Sequence, residues 1–115
     1  ASLLADRLGS EVVRNLEQVR GGGYDLIGID PFALEVKRCE TLTISQWWRQ
    51  ACIQCPDDLV PVLAYRQSRK PWTFVLPLKY VMYRSNIGQD VTCQTNIDGF
   101  CLIVREKRNE SFRRY

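Results

Sequence analysis

The chain has 115 residues, 45% of them hydrophobic and 25% charged, with five cysteines, no histidine and a formal net charge of +3. That length suits one domain with one core, and the composition is that of an ordinary soluble globular protein. Nothing approaches the roughly 18 consecutive apolar residues of a membrane helix, and the first residues do not read as a signal peptide. The absence of histidine excludes His-dependent triads and argues against His-ligated zinc hydrolysis. An odd cysteine count without an export signal points to reduced thiols and a cytoplasmic setting.

Residues 2–8 form a short amphipathic run, with Leu3, Leu4 and Leu8 on one side and Gly9 as a stop, and read as the end of a helix. The chain opens at Ala1 inside that run, which suggests a processed start or a missing upstream segment. Residues 11–20 mix Val12, Val13, Leu16 and Val19 with charges and read as a strand. Gly21, Gly22 and Gly23 then break the chain. Residues 24–29 and 32–39 read as a hairpin, with Asp30-Pro31 at its turn.

Residues 43–55 read as a helix capped by Thr43 or Ser45, because Ile44, Trp47, Trp48, Ala51, Cys52 and Cys55 recur at helical spacing. Trp47 and Trp48 are adjacent, so one is expected in the core and the other free for stacking or a partner. Residues 59–65 are an apolar run suited to a buried strand, with the helix as the crossover. A basic loop over 66–71 precedes a strand over 72–78. Residues 91–95 and 100–105 read as strands joined by a turn at Asn96-Ile97-Asp98-Gly99. The basic end of the chain alone carries +3, from five Arg or Lys against Glu106 and Glu110. The element order implies an α/β or α+β domain with a mixed sheet. Cys52 and Cys55 form a C-x2-C, but one on a helix without a second such pair favours plain thiols over zinc.

The informative stretch lies at 25–37. In a hairpin centred near position 30, Asp25 would face Glu35, and strand alternation places Glu35 and Lys37 on one face. Two carboxylates and an ammonium converging there suit phosphodiester hydrolysis. Hard divalent ions take oxygen ligands, which Asp25, Glu35 and the Val36 carbonyl can supply. A lysine beside them can orient the attacking water and hold the phosphate. Asp30, next to Pro31, is the weaker rival to Asp25.

These residues, with Arg14-Asn-Leu-Glu-Gln18, the Gly-Gly-Gly-Tyr-Asp25 approach, Phe32-Ala-Leu-Glu-Val-Lys-Arg38, Trp47-Trp-Arg-Gln-Ala51 and Pro61-Val-Leu-Ala-Tyr-Arg66 leading to Pro71-Trp72, give a resemblance. The chain resembles the PD-(D/E)xK nuclease superfamily, and within it the small Holliday-junction-resolvase-like endonucleases of bacteriophages. The resemblance spans about residues 1–78. It implies a restriction-endonuclease-like central mixed β-sheet flanked by helices, Mg²⁺- or Mn²⁺-dependent cleavage of branched or otherwise structured DNA, and homodimerisation. It also implies action in the cytoplasm, that of the host were the chain phage-encoded. By motif position Asp25 and Glu35 match the acidic ligands and Lys37 the lysine; Gln50, with Gln46 as its competitor and a plain exposed helix residue as the alternative, resembles a polar residue that steadies the lysine or a water. Two departures stand out: no Pro precedes Asp25, and neither Asp6 nor Glu11 matches the further Glu that the family carries on its opening helix. Arg14, Arg20, Arg38, Arg66, Arg69 and Lys70 are candidate DNA-phosphate contacts. A nuclease fold that binds DNA or protein without cutting is the alternative.

Overall fold

A computed structural model of the chain describes residues 9–10, 13–14, 16, 31–82, 86–88 and 90–113. Side chains are described as far as residue 107. Among the described residues, four strands form one sheet in the order β1-β2-β3-β4: β1 Phe32–Arg38, β2 Val60–Arg66, β3 Thr73–Pro77 and β4 Thr92–Thr95. Among the same residues, three helices follow β1 in the chain: α1 Ile44–Gln54, α2 Leu78–Met82 and α3 Ile97–Arg113. The fold is α/β with a mixed sheet, as the sequence implied.

β1 and β2 run parallel, with Glu35 beside Leu63 and Lys37 beside Tyr65. Parallel neighbours need a crossover, and α1 supplies it. β2–β3 and β3–β4 are antiparallel. Alternation along β1 and β2 sorts the side chains between two cores. Phe32, Leu34 and Val36 join Val60, Val62 and Ala64 on one face, packed with Leu16, Phe74, Phe100 and Val104. On the other face Leu63, Tyr65 and Val75 pack against Trp47, Trp48 and Ala51 of α1.

Both tryptophans are therefore buried, contrary to the expectation that only one would be. The α1 stripe is wide enough for adjacent large rings to reach the sheet, at 9% and 8% exposure for Trp47 and Trp48. Thr43 stands at the N-cap without a side-chain capping bond.

Two strand expectations fail. The described residues between 9 and 16 are helical, Gly9 among them, so that glycine does not end a helix and no strand runs through Leu16. The mixture of Val13 and Leu16 with charged neighbours such as Arg14 hid the helical character of these residues from the sequence. The second failure is at residues 96–105, expected as turn and strand. Asn96 instead caps α3, accepting the Gly99 backbone N–H at 2.9 Å. Ile97, Phe100, Cys101 and Val104 then follow helical spacing, the last three fully or almost fully buried. The basic end of the chain continues this helix to Arg113. The other half of the expected 24–39 hairpin lies outside the described residues.

Candidate active site and phosphate-binding hollow

Alternation on β1 sends Ala33, Glu35 and Lys37 to the face that α1 covers. Lys37 Nζ lies 3.6 Å from Glu35 Oε1, with the two side chains 20% and 2% exposed. A carboxylate this buried is costly in isolation, and the adjacent ammonium offsets part of its desolvation. Lys37 spans from that buried oxygen to solvent. A base and a cation thus meet at the rim of the α1 face, the pairing a phosphodiester site needs around one water.

Of the remaining candidates, Asp25 and Arg20 lie outside the described residues. The Val36 side chain belongs to the opposite core. Gln50 is half-buried on α1, the helix over the Glu35–Lys37 face, and Arg14 is exposed on a helical segment. The charged pair is brought together as expected, and it includes one expected ligand carboxylate, Glu35. Its oxygen chemistry fits Mg²⁺ or Mn²⁺, and among the described residues no group of three or more His, Cys, Asp or Glu comes together.

The other basic candidates converge elsewhere. Arg38 ends β1 and Arg66 ends β2, and the parallel register sets them side by side. Both guanidiniums lie over the buried Trp72 ring, 5.6 and 5.8 Å from its centroid, within cation–π range. Arg38 Nη2 also donates to the Leu16 carbonyl at 2.9 Å. The loop after β2 returns beside them as a turn, Lys70 N–H donating to the Gln67 carbonyl at 3.1 Å. Arg69 at its third position has φ 64°, the left-handed value that a type II turn reserves for Gly or Asn.

Glu40 staples the two strand ends. Its carbonyl accepts Gln67 Nε2 at 2.7 Å, and its Oε1 accepts the Ser68 N–H at 3.0 Å. Arg38, Glu40, Arg66, Gln67, Ser68 and Arg69 enclose a hollow of about 350 Å³. Lys70 is exposed next to Arg69. Sequence reasoning reached the three arginines but missed Trp72 as the platform of Arg38 and Arg66, and Glu40 as the staple. The signal for the turn was present in Gln67-Ser68-Arg69-Lys70, a short polar run between two apolar ones.

All five cysteines are free thiols. Burial pushes the Cys55, Cys93 and Cys101 thiols above their ordinary range. Cys55 Sγ contacts the carbonyls of Pro56 and Leu59 at 3.3 and 3.4 Å, the environment of a protonated donor and not of a zinc thiolate.

Comparison with known proteins finds no match: no family model fits the chain, and no curated protein or solved structure is similar to it. Among the described residues no helix is long and apolar enough to cross a membrane.

Proposed function

We propose that this protein is a divalent-metal-dependent DNA endonuclease that hydrolyses phosphodiester bonds in branched, Holliday-junction-like DNA. One observation carries the reading: Glu35 and Lys37 meet at 3.6 Å on one strand, one buried and one reaching solvent. Asp25, Glu35 and the Val36 carbonyl would hold Mg²⁺ or Mn²⁺. Such an ion neutralises the phosphate and lowers the pKa of water. Lys37 holds the scissile phosphate and orients the attacking water, and Gln50 steadies it from α1. Arg14, Arg20, Arg38, Arg66, Arg69 and Lys70 supply phosphate contacts. A two-fold homodimer suits a substrate with paired scissile strands, and the cytoplasm, of a host cell were the chain phage-encoded, is where such a substrate arises.

The test is cleavage of a synthetic four-way junction with Mg²⁺ or Mn²⁺. Cleavage by the native chain that Lys37→Ala and Glu35→Ala each reduce at least a hundredfold supports the proposal, whereas no cleavage in either metal sinks it. The 2% exposure of the Glu35 side chain favours a second reading. There the pair is a structural ion pair in a nuclease-derived module that binds DNA or protein without cutting. Junction binding that survives both substitutions, with no cleavage, would select it.

A further inference from the structure

The hollow at the ends of β1 and β2 lies at the strand termini, apart from the Glu35–Lys37 pair on the α1 face, and has its own chemistry. Three guanidiniums and one carboxylate border it, leaving an excess of +2. The carboxylate of Glu40 opposes an anion, but it is directed to the Ser68 N–H, holding the loop in place. Arg38 and Arg66 both lie within cation–π distance of Trp72, which anchors them at the strand ends, and Arg38 also donates one N–H to the Leu16 carbonyl. Each guanidinium carries five N–H donors in a fork whose geometry matches an oxyanion. The third cation, Arg69, sits in the loop in the left-handed conformation that a non-glycine residue adopts only under strain. Strain kept at the rim of a built hollow points to a ligand.

We propose that this hollow binds a phosphomonoester dianion, with Arg38, Arg66 and Arg69 as its ligands. A monoester presents three terminal oxygens and close to two negative charges, which matches three forks and the net excess. A diester phosphate offers two free oxygens and one charge, and so matches less well. The volume is that of a small-ligand site, enough for a phosphate and the group that carries it. Two sources share this chemistry, a free phosphate compound and the phosphorylated end of a nucleic-acid strand. The proposal stands whether or not the chain cuts DNA.

Titration of the full chain in low salt without divalent metal tests it. Its probes are inorganic phosphate, a mononucleotide, and one single-stranded oligonucleotide with and without a terminal phosphate. Inorganic phosphate is expected to shift the backbone amide resonances of residues 66–70. Arg69→Gly removes the cation and relieves the left-handed strain together, so the fold is retained while phosphate affinity falls about tenfold. Arg66→Gln lowers it similarly. A phosphorylated strand binding about tenfold tighter than its unphosphorylated twin identifies the strand end as the source. Equal binding of the two strands, with the mononucleotide bound, identifies a free compound. No response to phosphate or mononucleotide, or affinity unchanged in Arg69→Gly, overturns the proposal.

Discussion

The Glu35–Lys37 pair places a charge where an apolar strand would otherwise be continuous, and its energetics are measurable apart from catalysis. Truncating one member of a buried pair leaves the other desolvated, whereas removing both restores an apolar face. A double-mutant cycle with Glu35→Gln and Lys37→Met is expected to return a coupling of about 1–3 kcal/mol in denaturant unfolding. Coupling near zero would mean that Lys37 is held for another purpose than neutralising Glu35. The pair was legible in the sequence because strand alternation is rigid: Glu-x-Lys in any strand shares a face. The arginine hollow was legible only as separate basic residues. Its assembly depends on a parallel register and on a tryptophan six positions past Arg66, and neither follows from local pattern.

At the scale of elements, α3 carries the clearest consequences, because it stands where a strand was expected. Phe100 is its anchor, stacked on Phe74 at 4.5 Å and edge-on to Phe32 at 5.5 Å. Phe100→Ala is expected to cost about 3–5 kcal/mol, since rigid rings on both sides cannot collapse into the cavity. Asn96→Ala removes the cap and should cost about 1 kcal/mol. Gly99→Ala is the subtler change. A Cβ there collides with the Thr95 side chain, so the change should destabilise despite alanine's better helix propensity. Thermal melts of the three variants check the order, and a stabilised Gly99→Ala would show that Thr95 swings aside freely. Ile97, Phe100, Cys101 and Val104 spelled a helix by spacing. The neighbouring Ile103 and Leu102 filled the gaps between them, so that the run read equally well as a buried strand. α1 and β2 were read within a residue or two of their bounds: in α1 the apolar Ile44, Trp47, Trp48 and Ala51 alternate at helical spacing with the polar Ser45, Gln46, Arg49 and Gln50, and β2 is an unbroken apolar run as far as Tyr65. The described residues between 9 and 16 failed for the opposite reason, being helical in a stretch too charged for its apolar spacing to stand out.

For the whole molecule, the thiols tie folding to pH. Cys101 is 3% exposed against the core that α3 shares with the sheet. Burial, and then the charge of Asp98, hold its thiol protonated above the ordinary range. Burial acts the same way on Cys93, where the residue's own backbone hydrogen bond opposes it in part, and on Cys55, with help from Cys52, Asp58 and Asp57. In the unfolded chain these thiols ionise near their usual value of about 8.5. Above that pH the folded state therefore binds more protons than the unfolded state, and the slope of unfolding free energy against pH is negative. This contribution is fully present below the unfolded thiol pKa and is lost as pH rises toward the folded values. Urea midpoints should accordingly fall as pH is raised past about 8.5. The comparison is with Cys101→Ala measured in parallel, which isolates the buried thiol's share of the slope. That variant starts less stable, by the volume it leaves empty beside Phe100 and Val104, but its midpoint should decline less steeply. Equal slopes in the two proteins would place the alkaline loss elsewhere and show that the buried thiol of α3 does not couple to unfolding.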